Sequence, residues 1–180
     1  MNGLMSAPQE FIVNVLRQFN ALRIDQIEWL LKIKYDIVNA RSLMRQLAYM
    51  GKARRENEVW CGVWRQPVPA LMAAFDVMMA LCPDTIPEFY VGHTQCQLVF
   101  YIPGEEGEMP NSFKVYYVVN GQEIDVCEYA CAQRDPPGHT VLYIVSSNLQ
   151  IARLYCDKTF FAALKGGDGN IEFFQGGVQN

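Results

Sequence analysis

Hydrophobic positions recur at two different periods along this chain. In "PQEFIVNVLRQF" (8–19), Phe11, Val15, Leu16 and Phe19 fall on one stripe, which predicts an amphipathic helix with Pro8 at its first position and Glu10 in its first turn. "NALR" is expected to break it. Asp25 is read as the cap of a second helix, with Glu28 three residues on and Ile27, Leu30 and Leu31 inward. "KIKY" reads as a short connection. Asp36 is then taken to cap a third helix over 37–50, with Ile37, Ala40, Met44, Leu47 and Ala48 near one stripe and Gly51 just past its end. After Gly51 the period shortens. Residues 52–55 and 59–63 predict two short strands joined across "EN", a hairpin.

Beyond "RQPVPA" (65–70), whose two prolines mark a linker, the pattern changes again. Residues 68–82 are apolar nearly all round and predict a buried helix. Strands are expected at 88–92, 95–102, 113–119, 140–146, 158–163 and 171–175, with a helical turn near 148–153. "NG" at 120–121 raises a fork, because it is a strong hairpin signal. The following "QEIDVCEYACAQR" has acids first, arginine last, and Ile124, Cys127, Ala130 and Cys131 at helical spacing, so a helix is expected over 122–132.

Charge divides the chain at the same linker. Residues 1–66 hold ten Lys/Arg and six acids, net +4, whereas 67–180 hold five bases and thirteen acids, net −8. Two domains are expected, 1–66 and 67–180. Helix, helix, turn, helix, hairpin is the order of a winged helix, with the third helix as recognition helix and the hairpin as wing. Arg41 and Arg45 lie one turn apart on the third helix. Lys52, Arg54 and Arg55 lie on the wing, and Asn39 and Ser42 are placed near base edges. Such cations displace counterions from a duplex. The expected partner is double-stranded DNA, with homodimerisation left open. The competing reading is a solvated basic face on a module that docks or dimerises with protein.

The fold class expected overall is α+β, or mixed α/β. A small mixed-sheet domain follows the winged helix, and its order of elements is similar to a restriction-endonuclease core. A nuclease of that type needs a carboxylate on its second strand and an acid-x-Lys on its third, to hold Mg²⁺. Lys114 has Ser112, not an acid, two positions before it. Glu123 and Asp125 come with no lysine. No catalytic residue is expected, and no enzyme signature such as G-x-S-x-G or H-E-x-x-H is present. "GGDG" (166–169) reads as a turn rather than a phosphate cradle. His139 with Asp135 reads as surface loop rather than as an acid–base pair.

Six cysteines at 61, 82, 96, 127, 131 and 156 show no C-x-x-C pair. Cys127 and Cys131 share a helix face and are expected to act as buried small hydrophobes, so no metal, cofactor or small-molecule substrate is expected. Unpaired thiols, the lack of a basic, apolar leader and the lack of a membrane-length apolar run lead us to expect a cytoplasmic protein.

The stretches "RIDQIEWLL", "VNARSLMRQLAYMGKARR", "VVNGQEID" and "VLYIVSSNLQIARL" carry a further likeness. Through them the chain resembles the replication-relaxation group of plasmid and mobile-element proteins, including a relative from conjugative elements. The resemblance implies DNA binding by a regulator or accessory factor in replication or transfer of an element. It carries no catalytic residue onto this chain.

Overall fold

The computed structural model describes residues 4–92, 95–104, 111–133, 139–166 and 169–176. The fold is α+β, with six helices and two sheets among the described residues. Contacts divide the chain into two compact units. One comprises Met1–Met79 with Pro83–Ile86, and the other Ala80–Cys82 with Pro87–Asn180. The expected boundary at 66/67 therefore lies too early. No helix among the described residues is long and apolar enough to cross a membrane.

In the first unit, α1 (Ala7–Phe19) buries Ile12, Leu16 and Phe19 completely, as its stripe requires. "NALR" does more than break the helix: Ala21–Arg23 is a strand, β1, that the pattern was too short to reveal. Helix α2 (Ile24–Tyr35) begins one residue before the expected cap and runs through "KIKY". Its first turn is closed by Gln26, whose Oε1 accepts the Arg23 backbone N–H at 2.9 Å. Asp25 instead binds the Arg23 guanidinium, and Glu28 accepts the Ala40 N–H at 3.3 Å. Ile27, Leu30 and Leu31 are fully buried, as read from the sequence.

Asp36 ends α2 rather than starting the third helix. It sits at φ 57°, ψ 32°, a left-handed cap: its own N–H donates to Lys32 O at 3.0 Å and the following Ile37 N–H donates to Leu31 O at 3.2 Å. Helix α3 is consequently only Arg41–Tyr49, with Met44 and Leu47 buried. Gly51, at φ +64°, turns the chain into β2 (Ala53–Glu56) and β3 (Val59–Gly62). Asn57 at φ 53° forms the tip. The three strands pair antiparallel in the order β1-β3-β2, so β1 extends the hairpin into a sheet.

Helix α4 (Pro69–Leu81) belongs to this same unit as far as Met79 rather than opening the next one. Phe75 meets Phe19 and Trp29 edge-on at 4.8 and 5.7 Å between centroids. Asp76, a lone acid in an apolar helix, is buried. It accepts from Arg23 Nη1 and Nη2 at 3.1 and 2.5 Å and from Gln26 Nε2 at 2.8 Å. That three-way bond ties α4 to the start of α2.

The second unit is one serial sheet, β4-β5-β6-β7-β8-β9. Strands β4 (Glu88–Val91), β5 (Cys96–Ile102) and β6 (Asn111–Tyr117) pair antiparallel. Helix α5 (Glu123–Ala132) resolves the fork at "NG" in favour of helix and returns the chain to β7 (His139–Val145), parallel to β6. A short α6 (Asn148–Ile151) leads to β8 (Phe160–Lys165), parallel to β7, and β9 (Ile171–Gln175) closes antiparallel. Val141–Val145 are buried without alternation, because β7 is central and covered on both faces. Gly166 N donates to Asn170 O at 2.8 Å in the turn between β8 and β9, and Gly167 and Asp168 of "GGDG" lie outside the described residues.

Buried polar groups fasten the ends of β6 and β7. Gln150 Oε1 accepts from Ser146 N and Oγ at 2.7 and 2.8 Å, while its Nε2 donates to Val118 O at 3.1 Å. Glu123 accepts the Gly121 N–H at 3.1 Å. That bond first, with help from its own N–H, Gln150 and Arg153, holds the carboxyl below the usual range.

Candidate functional site

Alternation along the hairpin sorts its cations onto two faces. Residues 53 and 55 share one face with Trp60, which pairs with Arg55; residues 54 and 56 share the other with Cys61. Arg54 therefore pairs with Glu56 through Nη1 and donates from Nη2 to Arg65 O at 2.7 Å. It points away from the surface on which it was expected. Arg55 is exposed. Its Nε donates to Asn57 O at 2.9 Å, and its Nη2 lies 3.5 Å from Glu58.

The face bearing Arg55 borders a cavity of about 180 Å³ lined by Ile24, Arg41, Arg45, Arg55, Glu58 and Trp60. Two guanidinium groups come from α3, spaced by four residues and thus on one side of the helix. The third comes from β2. With Glu58 opposed, the lining side chains sum to +2. A guanidinium is a fixed fork of N–H donors that matches a phosphate or carboxylate, and three around one space give it a positive potential. Trp60 supplies a flat apolar wall, and Ile24 brings the start of α2 to the rim.

The remaining expected contacts scatter. Asn39 is outside α3, and its Oδ1 accepts the Arg41 N–H at 3.0 Å, so it shapes the turn into the helix. Ser42 lines a second, broader depression of about 460 Å³ with Leu4, Gln9, Arg45, Gln46, Tyr49 and Met50. Lys52 is exposed but lines neither. Arg45 alone borders both. Pattern reading missed Ile24 and Trp60. The signal for Trp60 was available in the two-residue tip at 57–58, which sets Arg55 opposite it.

In the second unit, His139 Nδ1 lies 2.5 Å from Ser112 Oγ, across the register of β6 and β7. His139, expected in a surface loop with Asp135, instead opens β7, and Asp135 is outside the described residues. Comparison with known proteins gives no family, because no family model, no curated protein and no solved structure matches the chain.

Proposed function

We propose that the first unit is a winged-helix module that binds duplex DNA through its backbone phosphates, with α3 as recognition helix and β2–β3 as wing. One observation carries this reading: Arg41, Arg45 and Arg55, from two segments, bound a single cavity. A phosphate seated there meets two helix guanidiniums and one from the hairpin, while Trp60 stacks against sugar. Strand β1 supports the same reading, since it anchors the hairpin in a three-stranded sheet and gives the wing a fixed root.

The chain acts in this view as a non-catalytic regulator or accessory factor in replication or transfer of a mobile element. The likeness to the replication-relaxation group supports the setting. The serial strand order of the second unit supports a restriction-endonuclease-like core, and Ser112 two positions before Lys114 supports one without nuclease chemistry.

Fluorescence anisotropy with a random-sequence duplex tests the proposal. Affinity should fall steeply with salt. Removing three phosphate contacts in an Arg41→Glu, Arg45→Glu, Arg55→Glu variant should lower the slope of log affinity against log salt by ~2 to 3. Arg54→Ala should change the slope little, because that guanidinium is already engaged on the opposite face. An unchanged slope in the triple variant overturns the proposal.

A second reading is favoured by a specific observation. Leu4, Tyr49 and Trp64 are 99%, 94% and 94% exposed, and the first two border the broader depression along α3. Large apolar side chains this bare suit a protein partner. Light scattering that finds a dimer which Tyr49→Ala dissociates would assign α3 to protein contact.

A further inference from the structure

By spacing alone Cys127 and Cys131 read as core filler, since no paired thiol motif accompanies them. The fold brings in two more ligand types from 25 residues away. After α6 the chain returns beneath the C-terminal half of α5 with "YCDK" (155–158). The Cys131 and Cys156 Sγ atoms stand 3.5 Å apart. A carboxylate oxygen of Asp157 joins them, and the three ligand atoms lie within 4.8 Å of one another.

Two further features shape this cluster. A backbone N–H, that of Lys158, is aimed at the Cys156 sulfur, while Tyr155 N donates at 3.4 Å to the neighbouring Cys127 Sγ. Burial pushes the Cys156 thiol up, the Lys158 N–H works against that rise, and the N–H···S bond fixes the direction of the sulfur lone pairs. The segment is also clamped. Lys158 Nζ donates to Ala130 O and Gln133 O at 3.2 and 2.6 Å, and Tyr143 Oη donates to Tyr155 O at 3.3 Å. Tetrahedral zinc with Zn–S bonds of about 2.3 Å holds its sulfurs roughly 3.7 Å apart, close to the spacing between Cys131 and Cys156.

We propose that Cys131, Cys156 and Asp157 form a site for a thiophilic divalent cation, Zn²⁺. The two sulfurs and one carboxylate oxygen are its protein ligands, and water takes the fourth position. Each thiol gives its proton to solvent as its Zn–S bond forms, so one ion releases two protons. Cys156 is buried and Asp157 exposed, so the ion enters from the Asp157 side. Cys127 stays outside the ligand set, held by the Tyr155 N–H. The site ties the C-terminal half of α5 to the segment leading into β8.

Cobalt(II) added to the full-length, metal-stripped, reduced chain without air tests this. One equivalent should give thiolate-to-cobalt charge-transfer absorption and tetrahedral visible bands, bleached by one equivalent of Zn²⁺. Cys131→Ser and Cys156→Ser should each weaken binding by at least about a hundredfold, beyond the usual loss for an outer-shell partner. Asp157→Asn should weaken it by roughly tenfold. Cys127→Ser, and a Cys61→Ser, Cys82→Ser variant, should bind like the parent. Absence of the bands in the parent overturns the proposal without reference to any variant's folding. So does a band that survives in the Cys131→Ser, Cys156→Ser variant. Closure of a Cys131–Cys156 disulfide by peroxide in a chain that gives no cobalt band would assign the pair to thiol oxidation instead.

Discussion

Asp76→Ala is the most informative single change in the first unit. The carboxylate is buried and receives three hydrogen bonds, two from the Arg23 guanidinium and one from Gln26. Truncation strands the Arg23 charge beside α4 and removes an acceptor from Gln26. Breaking a buried ion pair by deleting one partner costs about 3–5 kcal/mol. The lower end applies here. The Arg23 side chain keeps 29% of its exposure and its second partner Asp25, and Gln26 Nε2 keeps Met72 O at 3.0 Å. A loss of about 3 kcal/mol, at roughly 4 °C per kcal/mol for a cooperative unit of this size, lowers the melting temperature by ~12 °C. Tryptophan fluorescence is the assay, because Trp29, Trp60 and Trp64 all belong to the first unit and Trp29 touches Phe75. Asp76→Asn retains one oxygen acceptor and should fall by clearly less. A shift under ~4 °C for Asp76→Ala would refute the claim that this pair joins α4 to α2.

Two other outcomes follow from the same geometry. Glu123 has its carboxyl held below its ordinary value of 4.5, so the stability it adds is present above that pH and is lost as pH falls through the lower folded value. Glu123→Gln should flatten acid unfolding of the second unit in that window, followed by circular dichroism, and an unchanged acid limb would refute the assignment. Gly51 is at φ +64° with open space around its Cα, so Gly51→Val should cost stability through backbone strain alone, on the order of 1–2 kcal/mol by urea titration. No loss would show that the turn after α3 relaxes.

Elements with a long apolar stripe were legible. Helix α1 and the inward face of α2 follow directly from spacing, as do the buried strand β7 and the choice of helix for α5. Short elements were not. Strand β1 is three residues long and exists only because β3 pairs with it. The caps at Arg23/Gln26 and Asp36 were misassigned, since Asp25, Glu28 and Asp36 all offer plausible oxygens in sequence. Which oxygen meets which N–H depends on where the neighbouring turn arrives. The same holds for α4, whose uniform apolarity shows that it is buried but not in which unit.

By itself the sequence determined the α+β content, the separation of positive and negative charge, and the helical placement of Arg41 and Arg45. These are local properties, set by period and composition. Only the tertiary structure decided which cations share a space. Pairing register turned Arg55 toward Trp60 and Arg54 toward Glu56, and the return of residues 155–158 to α5 set Cys156 against Cys131. Such juxtapositions join residues far apart in the chain, and no spacing rule along one segment encodes them.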